Sequence, residues 1–180
     1  IKASKNTLDD LKTLLEKECD FKFKDMRFKT HKIEHHIAHT ASVFYNSGFA
    51  NAAGITIDGS GDFVTCMMTV CKDKSIKPIH KIYVPNSLGT FYSAICQYIG
   101  FENYGDEEKV MGLAPLGKDT YRDLFLDMIK YQGGNLVLNK NYFTKFGNSQ
   151  GIYIRENGTM GVSKLYSDKL IIDYGPARKK

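Results

Sequence analysis

The sequence predicts an α/β chain with an antiparallel β component, a mixed sheet flanked by helices. Short apolar, β-branched and aromatic runs cluster over residues 52–84, and helically spaced apolar stripes follow over residues 87–130. Because the strands follow one another before the helices begin, the pattern is not a string of βα units.

Taken in order, Asn6 or Thr7 can cap a helix running through Leu8, Leu11, Leu14 and Leu15 to about Cys19. Phe21 to Lys29 sets Phe21, Phe23 and Asp25 on one side and lysines, Met26 and Phe28 on the other before changing phase, a strand leading to His31 whose register the pattern does not fix. From Glu34 to about Tyr45, Ile37, Ala41, Phe44 and Tyr45 recur at helical spacing, and Gly48 supplies a stop. Ala52–Ile57 reads as a strand, Asp58-Gly59-Ser60-Gly61-Asp62 as a tight turn, and Phe63–Val70 as the returning strand. A third strand covers Lys81–Val84, with Ile76–His80 as its extension. Ser87 caps a helix through Leu88, Phe91, Tyr92, Ile95, Cys96 and Ile99, stopped by Gly100. Asp106–Leu113 forms another, closed by Pro115 and Gly117. Tyr121–Ile129 forms the last, closed by Gly133-Gly134, and Asn135–Ile154 reads as short strands. No internal repeat is present.

With 180 residues, 42% of them hydrophobic, 12% aromatic and 25% charged, the chain can bury a core and is neither disordered nor low in complexity. Its length suits one domain or one lobe of something larger. The net charge of +5 is concentrated in Lys22, Lys24, Arg27, Lys29, Lys32 and Arg178-Lys179-Lys180. That is a surface of solvated lysines rather than the dense basic stripe of a nucleic-acid binder. No apolar run reaches the roughly 18 to 20 residues of a bilayer span, and Ile1–Asp20 lacks a leader pattern, so a cytoplasmic chain is expected. Cys19, Cys66, Cys71 and Cys96 contain no C-x-x-C pair and are expected as reduced, buried thiols.

Three stretches carry chemistry. In Glu34-His35-His36-Ile37-Ala38-His39, His35 and His39 stand four apart on one helix face, where two imidazoles can reach one metal ion. The residue after His35 is His36, where a metalloprotease helix needs Glu, so that chemistry is disfavoured. A hydrogen-bonded histidine pair is the alternative. In Asp58-Gly59-Ser60-Gly61-Asp62, a carboxylate sits at a strand end, and two glycines would let backbone N–H groups approach an anion. A plain Asp-Gly hairpin is the alternative there, and Asp58 is a natural third, oxygen ligand beside the histidines. The third stretch, Asp106 to Gly117, has acidic residues at a helix start followed by Lys109; by itself it reads as the charged first turn of an amphipathic helix, and nothing physical in it identifies a substrate.

Four ordered segments, His35–Ser42, Ile55–Asp62, Pro85–Ser93 and Lys109–Pro115, together with Gly175-Pro176-Ala177-Arg178, resemble the O-carbamoyltransferases of the nodulation and antibiotic-tailoring type. The resemblance spans residues 31–118. It implies a ribonuclease H-like, actin/Hsp70-like lobe, of which residues 1–180 would be a partial amino-terminal metal- and nucleotide-binding domain. The second half and the domain that makes carbamoyl-adenylate would lie in the remainder of the parent chain. It also implies a divalent metal, usually iron, on His35, His39 and Asp58, with Gly59, Ser60, Gly61, Lys109 and Gly112 toward the nucleotide. Asp62, Leu116 and Ala177 depart from the common Glu, Tyr and Pro. The full-length enzyme would use ATP and carbamoyl phosphate, through carbamoyl-adenylate, to carbamoylate the hydroxyl of a sugar-like or natural-product acceptor, and the fragment alone would be inactive. A tRNA threonylcarbamoyl-transferase-like enzyme and a non-catalytic metal- or nucleotide-binding module are the alternatives. No catalytic base is identified; His36 points about 100° away from His35 around the helix and is expected to support the fold.

Overall fold

The computed structural model describes residues 15–18, 22, 31–144 and 151–178, and three antiparallel strands form its largest sheet. The chain divides into two compact units, residues 1–33 and 34–180, and every element below belongs to the second. In the first unit, residues 15–18 are helical, in the region of the first predicted helix, whose cap at Asn6 or Thr7 and whose remaining residues lie outside the described residues. The predicted strand over Phe21–Lys29, apart from Lys22, and Cys19 lie outside the described residues.

Helix α1 (His35–Phe44) precedes strands β1 (Asn51–Gly61), β2 (Val64–Lys72) and β3 (Ser75–Tyr83), which pair in that order. β2 is buried on both faces over Val64–Met67 and on the α1 face as far as Cys71, while Val70 on the other face is exposed. That is why Cys66 and Cys71, an odd number of residues apart, are both buried free thiols. On the α1 side of the sheet, Met67 is fully buried, which stabilises the fold by about 2 kcal/mol.

Helix α2 (Leu88–Tyr98) is capped by Ser87, whose hydroxyl accepts the Thr90 N–H at 3.0 Å. Helix α3 (Glu107–Leu113) runs into a 3-10 turn over Ala114–Leu116, and α4 (Arg122–Met128) leads directly into β4 (Ile129–Gln132). β4 pairs with β5 (Asn135–Leu138), β6 (Ile152–Ile154) pairs with β7 (Met160–Val162), and α5 (Asp168–Tyr174) follows. Met128, Tyr142 and Leu170 make a second core, against which Phe91, Ile95 and Tyr98 of α2 pack. The buried Gln97 ties α2 to the β6–β7 hairpin, donating to the carbonyls of Val162 and Ser163 and accepting the Leu165 N–H at 2.8 Å.

The mixed α/β class with antiparallel pairing is therefore present, and two local expectations need correction. The Gly133-Gly134 pair does not close α4, which ends at Met128; both glycines have positive φ and form the two-residue turn of the β4–β5 hairpin. The β1–β2 turn is not Asp58–Asp62. β1 continues to Gly61 and the chain reverses at Asp62 and Phe63, with φ of 51° and 66°. No helix among the described residues is long and apolar enough to cross a membrane.

Candidate metal centre

Pairing between β1 and β2 is regular to Ile57 opposite Cys66 and resumes at Gly61 opposite Val64. β1 advances four residues where β2 advances two, a bulge that lifts Asp58, Gly59 and Ser60 out of the ladder. A bulge re-aims side chains, and here it directs the Asp58 carboxylate at the first turn of α1. Asp58 Oδ2 lies 2.7 Å from His35 Nε2 and 3.6 Å from His39 Nε2, and the two Nε2 atoms are 3.0 Å apart.

Those three separations bear on what the cluster can hold. At 3.6 Å, His39 and Asp58 are too far apart to hydrogen-bond. The single N–H that His35 Nε2 can carry serves the carboxylate at 2.7 Å, leaving the second imidazole nitrogen crowded against it. A cation satisfies all three atoms at once. Ligands bound at 2.0–2.2 Å around one ion lie roughly 3.0–3.5 Å from each other, close to the observed triangle. Among the described residues, these side chains offer ligand atoms within 4.8 Å of one another and remain part-exposed. The donor set, two imidazoles and a carboxylate, fits a divalent transition metal.

Neighbouring residues hold this triangle in place. A Cβ on Gly61 would sit 2.1 Å from the His35 ring, so the ring seats where only glycine leaves room. Asp62 Oδ2 accepts the His35 backbone N–H at 2.9 Å, capping a helix whose own N-cap residue, Glu34, makes no side-chain cap bond. Glu34 instead accepts Lys81 Nζ through both oxygens, at 2.7 and 2.9 Å, fastening the start of α1 to β3. His36 is fully buried: its Nε2–H donates to the Val64 carbonyl at 2.9 Å, and Nδ1 accepts from the Thr56 hydroxyl at 2.8 Å. It supports the fold, as its place on the helix implied. Burial works to raise the Asp58 carboxyl. The His35 hydrogen bond, the Gly59 N–H and the charges of His35 and His39 outweigh it and hold the group below the ordinary carboxylate value.

The first turn of α2 meets the same bulge. Ser87 Oγ, fully buried, donates to the carbonyls of Asp58 and Gly59 at 3.1 and 2.8 Å. A Cβ on Gly89 would lie 2.5 Å from Gly59 N and 2.6 Å from Asp58 C. Among the residues expected to face a nucleotide, Gly59 lines a cleft beside Asp58, Ser60 is exposed on the bulge, and Gly61 faces His35. Neither Gly59 nor Gly61 has positive φ. Lys109 and Gly112 lie on α3, outside that cleft's lining, and Lys109 Nζ contacts Asp106 Oδ1 at 2.5 Å. Gly175–Arg178 lies at the far end of α2, where Tyr98 Oη donates to the Gly175 carbonyl and the Arg178 N–H donates to the Tyr98 carbonyl. Asp62, Ser87 and Gly89 were not singled out as site residues from sequence. Ser87 carried a signal, its cap position; the role of Asp62 depends on pairing across 27 residues.

Residues 4–159 match the family described as the carbamoyltransferase N-terminus. The chain belongs to that family. It is 39% identical over 139 residues to an uncharacterised protein of Synechocystis sp., covering 74% of this chain and 22% of that protein. It is 40% identical over 94 residues to the nodulation protein NolNO of Sinorhizobium fredii, covering 52% of this chain and 14% of that one. Nodulation protein NolO of Bradyrhizobium diazoefficiens is 43% identical over 94 residues, covering 52% and 17% respectively. The chain thus spans about a fifth or less of the length of these relatives.

Proposed function

We propose that this chain is the metal-holding part of an ATP-dependent O-carbamoyltransferase, a partial amino-terminal domain whose remaining parts lie elsewhere in the gene product. The convergence of His35, His39 and Asp58 into one triangle of ligand atoms carries the reading, and family membership supports it. The antiparallel sheet flanked by α1 and α2 is consistent with an actin/Hsp70-like lobe. In the complete enzyme, carbamoyl phosphate would lose its phosphate to water, and the carbamate so released would displace pyrophosphate from the α-phosphate of ATP to give carbamoyl-adenylate. An acceptor hydroxyl then attacks the carbamoyl carbon, the carbon–oxygen bond to the adenylate phosphate breaks, and AMP leaves.

A divalent ion, iron in this reading, would supply positive charge to the phosphate of the leaving group. The chain's own residues orient that site. Asp62 and Gly61 hold His35, Ser87 and Gly89 hold the Asp58–Gly59 backbone, and Gly59 faces the adjoining cleft. Lys109 and Gly112 would approach the nucleotide only if the remainder of the protein brings it over α3. Use of ATP and carbamoyl phosphate implies a cytoplasmic enzyme.

Anaerobic titration of the intact gene product with Fe(II) or Co(II), paired with a carbamoyl-transfer assay, tests this. One ion per chain is expected, with affinity falling about 100-fold or more in His39→Ala and Asp58→Asn, together with loss of transfer to a hydroxyl acceptor. Metal affinity unchanged in both variants, or carbamoyl delivered to tRNA instead of a small-molecule hydroxyl, would sink the reading.

A further inference from the structure

Beside the metal triangle, a cleft of about 570 Å³ opens between the β1 bulge and the helices α2 and α3. Its outer wall is Tyr104, Gly105 and Glu107, the end of a loop and the first residue of α3. Little in that wall holds itself in place. Helix α3 is seven residues long and buries none of them, and a helix so short is marginal by itself. Tyr104 is exposed as well. With no apolar burial to fix it, the wall depends on polar contacts.

Most of those contacts come from the β6–β7 hairpin. Arg155 follows β6 directly, and the hairpin turn fixes its backbone: its N–H donates to the Thr159 carbonyl and its carbonyl accepts the Gly158 N–H, both at 2.9 Å. From there the guanidinium crosses to the loop before α3. Nη1 donates to Asn103 Oδ1, and Nη2 donates to the Glu102 carbonyl at 3.0 Å. Asn103 passes the anchorage on, its N–H and Nδ2 donating to Asp106 Oδ2 at 2.9 and 3.1 Å. Both ends of the Asn103 amide are thereby engaged, and the buried Asp106 stands immediately before α3. On β7, the Met160 carbonyl accepts the Tyr104 N–H at 3.1 Å. A tie from the other side is the Ser93 hydroxyl of α2, which donates to Glu107 Oε1. A planar guanidinium that serves two acceptors sets direction as well as distance, which a lysine ammonium does not.

We infer that Arg155 is a positioning residue for this cleft: through Asn103 and Asp106 it keeps the wall of Tyr104, Gly105 and Glu107 set against Asp58 and Gly59. The inference rests on the carbamoyl-transfer reading for the chemistry that the cleft adjoins, and it goes beyond that reading in giving a hairpin remote from the metal triangle a part in shaping the site. Without Arg155 the wall keeps its ties to Ser93 and Met160, so its loss loosens the wall without unfolding the chain.

Hydrogen exchange read by mass spectrometry on the intact gene product, with carbamoyl-transfer kinetics and Co(II) titration of the same samples, tests this in Arg155→Ala, Arg155→Lys and Asn157→Ala. Asn157 is the comparator, since its side chain accepts from Thr159 inside the hairpin turn. Arg155→Ala should speed exchange over residues 101–107 about tenfold or more, the worth of one hydrogen bond from a charged group, and lower kcat/KM by a similar factor. Exchange in β2, Co(II) affinity and melting temperature should stay as in wild type. Arg155→Lys, which can serve one acceptor of the two, should recover part of both effects, and it carries the comparison if Arg155→Ala does not fold. Asn157→Ala should change neither. The inference is overturned if exchange over residues 101–107 is unchanged in the Arg155 variants, if it rises equally in β2, or if Asn157→Ala reproduces it. It is also overturned if the wall loosens while kcat/KM stays as in wild type. A wild type that transfers no carbamoyl group removes the proposed function instead, and the exchange comparison then decides the role of Arg155 by itself.

Discussion

Gly61 and His35 depend on each other. The imidazole lies where a side chain on residue 61 would begin, 2.1 Å from the ring. With φ outside the left-handed region at this position, the need for glycine here is one of space, and the neighbour it makes room for is a candidate ligand. Gly61→Val should therefore displace the His35 ring and lower metal affinity by about 10–100-fold, a magnitude usual when the support of a ligand is removed. Co(II) absorbance and melting temperature measured on the same variant separate two roles. A plain hairpin glycine would lower the melting temperature and leave the Co(II) spectrum and affinity as in wild type. At the turn itself, Asp62 and Phe63 adopt positive φ without glycine, and Asp62 uses that position to reach the His35 N–H. The Asp-Gly pair earlier in the strand has the stronger turn signature, which is why the reversal was expected too early.

At the level of elements, the start of α2 is the second support of the site. Ser87 is an N-cap of the ordinary kind toward Thr90 and also bonds two carbonyls of the β1 bulge. Ser87→Ala removes the cap and leaves those part-buried carbonyls without their hydroxyl partner, so it should cost about 1–3 kcal/mol in urea unfolding of the intact gene product. A loss under about 0.5 kcal/mol would mean that the helix start is held by packing alone. The contact of Gly89 with the Asp58–Gly59 backbone is the packing contribution at the same junction. The fate of α4 shows the opposite balance. Its apolar spacing is helical through Met128, yet Ile129–Gln132 pairs with Asn135–Leu138, because the Gly133-Gly134 turn brings the following residues back alongside.

Across residues 34–180, polar side chains join segments far apart in sequence. Asp106, only 4% exposed, accepts the Asn103 N–H at 2.9 Å and Lys109 Nζ at 2.5 Å. Asn103 in turn receives Arg155, which also donates to the Glu102 carbonyl at 3.0 Å, and so couples the entrance of α3 to the β6–β7 hairpin. Burial alone would raise the Asp106 carboxyl. Hydrogen bonds from Lys109 and Asn103 and the Lys109 charge outweigh it and hold the group below its ordinary value. A carboxyl whose folded value is depressed contributes stability above the unfolded value, about 3.9, and loses it as pH falls through the lower folded value. Asp106→Asn should thus be less stable than wild type at pH 7, with the gap in urea midpoint narrowing below about pH 4. A gap that stays constant down to pH 2 would show that the ionisation of Asp106 contributes nothing.

What the sequence determined by itself is what repeats within one element or ends it. The helical stripe through Ile37, Ala41 and Phe44, the four-residue step from His35 to His39, the cap at Ser87 and the antiparallel run over residues 52–84 were all open to reading, since each depends on neighbours a few positions away. The extension of the third strand back through Ile76–His80 was readable for the same reason, and β3 runs from Ser75 to Tyr83. Packing between elements alone set the bulge that turns Asp58 toward the histidines, the cap that Asp62 supplies to α1, and the bonds from Ser87 to the Asp58 and Gly59 carbonyls. Each joins elements that local pattern treats separately. A strand's period of two marks which face a residue takes but not where extra residues break the register, so the aim of Asp58 follows from pairing with β2 and from the packing of α1 and α2 against the bulge.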